Sequence, residues 1–219
     1  MTRNTHSYPL EGIVFAAGGA FTLVGSALHP TGGSSNYHDS FAAQLANPIG
    51  APANWLTLIG SLLLAWGVWM LLDSAWRNAP GLVRAGARLA IVSSAILVIE
   101  SGASLAMRTT AAAYAAGTPV PMVRLSETLY AACLPALMLG ALLLNLGNRR
   151  LAPAVVRIVG AVGMVALGLA GPFVDGLHII ALWPLYLGGV LTCIWIIWAG
   201  VHEAVGVASG TMAAQKVDA

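Results

Sequence analysis

The chain has 219 residues, of which 58% are hydrophobic and 8% charged, and its formal net charge is +2. A water-soluble domain carries about 25% charged residues, so this chain has too little charge to cover a surface in water, and its mean hydropathy of +0.81 agrees. An ordinary soluble globule is excluded and nothing in the charge balance favours nucleic acid; the solvent is lipid, and residues 1–219 suit a single membrane domain.

Six apolar stretches reach the roughly 20 residues that a spanning helix needs. In chain order they run from about Leu10 to Leu28, Ala53 to Leu72, Gly86 to Met107, Leu125 to Leu146, Pro153 to Val174 and Leu177 to Val201. The predicted fold is all-α, an integral membrane bundle of six transmembrane helices. Gly25-Ser26-Ala27 imitates a signal-peptide cleavage site, but the basic flank is Arg3 alone, and the first stretch reads as a retained helix. The longest connection, 29–52, opens on the breaker run His29-Pro30-Thr31-Gly32-Gly33-Ser34-Ser35. Tyr37, Phe41 and Leu45 then recur at helical spacing, with His38, Asp39 and Gln44 between them. This predicts a short interfacial helix, serving either as a lid over a site or as a plain connector. Gly147-Asn148-Arg149-Arg150 makes a tight polar turn before Pro153, which suits a first helical turn. Residues 204–219 read as a disordered tail. Cys133 and Cys193 fall at depths about 10 Å apart at the helical rise, beyond disulfide reach, and both read as core residues. No internal repeat links the two halves.

Orientation follows from the basic residues. Arg3, Arg77, Arg84, Arg88, Arg149, Arg150, Arg157 and Lys216 fall on the side of the N-terminus, and Arg108 and Arg124 on the other. Both termini are therefore expected in the cytoplasm, with the 29–52 loop extracytoplasmic. Trp69, Trp76 and Trp198 fall near the inner boundary, and Trp55 and Trp183 near the outer one. Lys216 is the lone lysine, and with heavy Ala, Gly and Leu usage this suggests a GC-rich bacterial genome and a bacterial cytoplasmic membrane.

The hairpin Leu143–Gly163, with Arg149-Arg150-Leu151-Ala152-Pro153 and Arg157-Ile158-Val159-Gly160, resembles the fourth-to-fifth helix hairpin of a group of uncharacterised bacterial six-helix membrane proteins. Arg84 and Arg88 opening the third helix, and the Trp-rich sixth helix ending in Ala199-Gly200-Val201, are similar too. The resemblance is one of layout. It implies the topology and no functional residue.

Ionisable residues inside a bilayer cost several kcal/mol unless paired or hydrated, which makes each a candidate. Glu100 is the foremost, two turns from the outer end of the third helix, with Ser104 and Arg108 continuing a polar ladder at i+4 and i+8. His29 ends the first helix on the side of the small residues Gly18, Thr22, Gly25 and Ser26. Asp175 and His178 flank the start of the sixth helix, where Asp175 suits a cap and His178 is expected one turn in, beside Leu182 and Leu185. Glu100, His29, His178 and Asp175 are thus the candidate acid–base residues. Arg108, Ser104, His38, Asp39, Asn54, Trp55, Glu127 and Trp183 are candidates to contact a substrate, with Glu127 also placed to pair with Arg124 at i, i+3. His29, His178 and Glu100 would be the ligands of a divalent metal if one binds. No cofactor is required by the sequence, and haem is disfavoured because no second histidine pair exists. His202-Glu203 reads as a solvated terminus.

Four functions compete. The first is a membrane protein that binds or transforms a lipophilic small molecule (isoprenoid, quinone or lipid) from the outer leaflet, as an isomerase, cyclase or hydrolase using a carboxylic acid. The second is a metal or haem protein. The third is an ion-coupled transporter, against which the inner halves of the helices offer little beyond Ser93, Ser94, Asn145 and Thr192. The fourth is a non-catalytic accessory subunit. Membrane lipids are expected partners, nucleic acid is not, and a homo-oligomer or larger membrane complex is open.

Overall fold

The computed structural model describes residues 10–30 and 33–217, with side chains to residue 206. Arg3, Thr31, Gly32, Asp218 and the Lys216 side chain lie outside the described set. In chain order the helices are α1 (Leu10–Leu28), α2 (Tyr37–Ala46), α3 (Gly50–Asp73), α4 (Gly81–Met107), α5 (Ala111–Ala115), α6 (Pro121–Gly147), α7 (Ala154–Ala170) and α8 (Gly188–Val217). A 3₁₀ turn, Arg108–Thr110, links α4 to α5, while a π-helical turn, Gly171–Gly176, and a 3₁₀ segment, Ile180–Leu187, lie between α7 and α8. No strand occurs among the described residues. Six helical stretches are long and apolar enough to span a membrane: Leu10–Leu28, Gly50–Asp73, Gly81–Ala115, Pro121–Gly147, Ala154–Gly176 and Ile180–Gly206.

The six long helices form a ring in sequence order. α1 packs on α3, α3 on α4, α4 on α6, α6 on α7 and α7 on α8, and α8 closes the ring against α1. Glycines make the closest crossings. A Cβ on Gly86 would meet the Gly140 carbonyl oxygen at 2.7 Å, and one on Gly140 would meet the Gly86 oxygen at 2.9 Å. Lipid supplies no hydrophobic drive between helices, so association depends on such close backbone contact. Outside the ring, Trp66, Trp69, Ile99, Val155 and Ile158 are all more than half exposed. An apolar belt of that extent has no place on a water-soluble surface and suits lipid. The six helices make this a multi-pass membrane protein.

Three stretches differ from the sequence reading. The fifth and sixth spans are not plain helices meeting near residue 175. The backbone widens into a π turn at Gly171-Pro172, where the proline withholds a donor from the ladder, and tightens to 3₁₀ around Pro184. His178 therefore lies before the sixth span rather than one turn inside it, at a left-handed φ of 56°, a region rare for residues with a Cβ. Finally, α8 continues to Val217, through the stretch read as a disordered tail.

The ring ends differ. At the end away from α2, Trp76 is 2% exposed, meets Phe15 edge-on at 6.2 Å, and donates its indole N–H to Glu203 Oε1 at 2.9 Å. Glu203 is thus a packing partner rather than a solvated terminal residue. Asn145 Nδ2 donates to the Arg157 carbonyl at 2.8 Å, and Arg157 Nε returns a bond to the Asn145 carbonyl at 3.2 Å. Ring edges, an N–H and backbone carbonyls interlock there and seal that end.

Candidate functional site

A cavity of about 430 Å³ lies on the axis of the ring. On α3 its wall is the stripe Asn54, Thr57, Ser61, Leu64 and Val68. These residues recur every three or four positions and so cover one helix face for about 21 Å. Its far end is closed by Phe15, which backs onto Trp76, and by Leu144. Its near end lies under α2, which contributes Tyr37, Ser40, Phe41 and Gln44. Leucines, methionine and aromatic rings dominate the walls, while three carboxyl groups, Glu100, Glu127 and Asp175, gather toward the α2 end.

Glu100 is set by α4. It is 7% exposed, and two serine hydroxyls converge on a single oxygen: Ser104, one turn along, donates to Oε1 at 2.6 Å, and Ser126 on α6 donates to Oε1 at 2.7 Å. The second oxygen, Oε2, has no protein partner. Asp175 is carried by the π turn, whose widened backbone brings it into the ring. Its Oδ1 accepts from the Tyr37 hydroxyl at 3.4 Å, and its Oδ2 accepts from the Tyr186 hydroxyl in a very short contact. Glu127 sits 3.7 Å from His178 Nε2, and its pairing with Arg124 is not made.

Tyr37 joins α2 to the carboxyl groups. Asn36 caps α2, accepting from the amides of His38 at 2.8 Å and Asp39 at 3.4 Å, which fixes the first helical residue, Tyr37, over the cavity. Its ring stacks on His178 at 4.0 Å and on Phe41 at 5.9 Å. Burial, and then the neighbouring Asp175 and Glu127 carboxylates, push the Tyr37 phenol far up from its ordinary value. It therefore stays protonated and serves as a donor.

The structure separates the twelve predicted site residues into two groups. Glu100, His29, Asp175, Ser104, Asn54, Glu127 and Trp183 all line the cavity. His29 opens onto it with an exposed side chain, and the protein crowding around the ring, more than any charge, holds its imidazole below the usual range. The Arg108 guanidinium acts in the same direction, against hydrogen bonding of the imidazole to the Pro30 carbonyl and the Asn54 side chain. The other five do not line it. Arg108 turns to the corner between α2 and α3, donating to the Asn47 carbonyl and, at 3.5 Å, to that of Gln44, so it ties the end of α2 in place. His38 stacks on Tyr114 at 4.6 Å and bonds its carbonyl at 3.0 Å through Nε2. Asp39 is exposed beside it, and Trp55, 55% exposed, faces outward. His178 backs Tyr37 from behind. The metal triad is not assembled: among the described residues no three His, Cys, Asp or Glu side chains come together to hold a metal ion.

Sequence reasoning missed Tyr37, Tyr130 and Tyr186 as site residues. For Tyr130 the signal was present, since Ser126, Glu127 and Tyr130 recur at helical spacing in the polar first half of α6. The two cysteines are free and buried, as core residues.

No family model, no curated protein and no solved structure matches this chain. The likeness of layout to other six-helix membrane proteins thus brings no family to bear on the site.

Proposed function

We propose that this protein binds a lipophilic small molecule of isoprenoid, quinone or lipid type in the axial cavity, with α2 as an interfacial lid on the extracytoplasmic side. The observation that supports this best is the cavity itself: about 430 Å³, apolar along most of its length and polar at one end. Ligand pockets of about 300–1,000 Å³ with mostly apolar walls and a few convergent polar groups hold drug-sized molecules. The sealed end at Trp76 favours binding from one side over a path for ions across the membrane. The distribution of basic residues supports placing the α2 end outside a bacterial cytoplasmic membrane.

Acid–base chemistry on the bound molecule is a second reading, favoured by Glu100. One of its oxygens is fixed by two serines and the other is free to give or take a proton at the ligand.

Occupancy is tested by titrating the purified protein, in a neutral maltoside detergent, with decanol and following thermal stability. A ligand that binds only the folded state raises the melting temperature with concentration. Leu97→Trp, which fills the cavity at mid-depth, is expected to abolish the rise. An equal rise in parent and Leu97→Trp would place binding outside the cavity and contradict the reading.

A further inference from the structure

The geometry points to an organic cation, an ammonium group on an apolar tail, as the molecule the cavity takes; this rests on the cavity being a small-molecule site. The first ground is an imbalance of charge. Glu100, Glu127 and Asp175 line the cavity, while the only basic side chain lining it among the described residues is His29. The two arginines at this end are elsewhere: Arg108 is bound to the Asn47 and Gln44 carbonyls, and Arg124 is not part of the wall. A charge removed from water is costly unless a counter-charge meets it. Glu127 has His178 at 3.7 Å, whereas Glu100 and Asp175 are met only by hydroxyl groups.

The second ground is independent of the cluster. Glu100 is 7% exposed and lines the cavity, and its Oε2 has no partner in the protein although Oε1 has two. No protein donor meets that oxygen, and it is left open to the cavity that Glu100 lines, where a ligand atom can reach it.

The walls select the kind of cation. Tyr130 and Tyr186 face the same chamber with ring centres 6.3 Å apart, and Trp183 lies 6.0 Å from Tyr186. Aromatic faces attract a cation within about 6 Å, and they hold alkylated ammonium groups well because these are weakly hydrated. A metal ion needs converging oxygen, nitrogen or sulfur ligands, and the described carboxyl groups do not converge in that way. Below the rings, Leu97, Leu64 and Leu137 provide an apolar shaft for a tail. The head thus lies among Glu100, Asp175 and the aromatic rings, with the tail pointing toward Phe15.

Three probes of equal chain length test this on the full protein in maltoside detergent: decyltrimethylammonium, decanol and decanoate, with affinity read by isothermal titration. The ammonium is expected to bind at least tenfold more tightly than the alcohol, with decanoate the weakest. Glu100→Gln and Asp175→Asn are each expected to weaken ammonium binding more than alcohol binding and so narrow the gap between them. Alcohol or decanoate binding as well as the ammonium in the parent would overturn the cation and leave the cavity reading standing. Binding of none of the three would overturn both. The parent comparison decides the matter even if a variant fails to fold.

Discussion

The two ends of the helix ring bury similar kinds of polar group and treat them in opposite ways. At the sealed end, the Trp76 indole meets Glu203 and Asn145 exchanges bonds with Arg157, so helix is tied to helix. At the α2 end, Glu100 keeps one oxygen free, His178 is held at a positive φ, and helical order gives way to a π turn. Bonds between helices tie the far end, although Asn145 Oδ1 is itself buried there without a partner, while local backbone strain of the kind found at the α2 end is where function concentrates. The difference also explains the glycines: close crossings such as Gly86 on Gly140 hold the ring rigid, so that irregular backbone is tolerated where it lines a cavity.

The largest expected effects break the sealed end and the frame. Gly86→Val drives a side chain into the Gly140 carbonyl, and the expected outcome is loss of folded, monodisperse protein on gel filtration. Trp76→Ala removes a fully buried ring and leaves Glu203 without its donor. Large aromatic deletions cost about 3–5 kcal/mol, so the melting temperature in detergent should fall steeply. If it does not fall, the sealed end is not a structural plug.

Glu100→Gln sharpens the contrast between the ends. The amide keeps the shape and can still accept from both serines, so the melting temperature should stay near that of the parent while the preference for the ammonium ligand over the alcohol narrows. A drop comparable to that of Trp76→Ala would make Glu100 a packing residue. A smaller effect is expected at α2. Tyr37→Phe keeps the stack on His178 and Phe41 but removes the hydroxyl donor to Asp175. One hydrogen bond is worth about 0.5–1.5 kcal/mol, which should appear as several-fold faster ligand release, measured by stopped-flow fluorescence.

The smallest effect is on pH dependence. His29 is held below its unfolded value of 6.5, so below that pH the unfolded chain binds more protons than the folded one. Stability should then decrease as the pH falls from 6.5 through the lower folded value, and be unaffected above it. His29→Gln should remove that part of the slope in a melting-temperature series. An unchanged slope would show that the protein around His29 does not hold its imidazole down.

Much of the frame was legible because apolar length is a local property. Leu10–Leu28 coincides with α1, and the next three expected spans overlap α3, α4 and α6 with ends shifted by a turn or so, because a stretch such as Leu125–Leu146 has nowhere to lie but in lipid. The Glu100–Ser104 contact was legible too, since i and i+4 share a helix face. Ser126 as the second donor was not, because its meeting with Glu100 depends on how α6 is rotated against α4. The π turn was hidden in Gly171–Gly176, where hydropathy continues while the hydrogen-bond register changes, and so His178 was placed on a helix it does not join. Arg108 was read as a substrate group because its partners are backbone carbonyls, which no residue pattern announces. The Trp76–Glu203 bond joins residues 127 apart, with no local sign in either segment.

The account turns on a small molecule lying along the axis of the ring with its polar end at Glu100. Photolabelling the purified protein with an alkyl diazirine that carries a terminal ammonium, followed by peptide mapping, tests this most directly. The account predicts labels on cavity residues of α4 and α6, Glu100 and Tyr130 foremost, and their loss in Leu97→Trp. Labels confined to outward-facing residues such as Trp55 and Trp66, unchanged in Leu97→Trp, would contradict it.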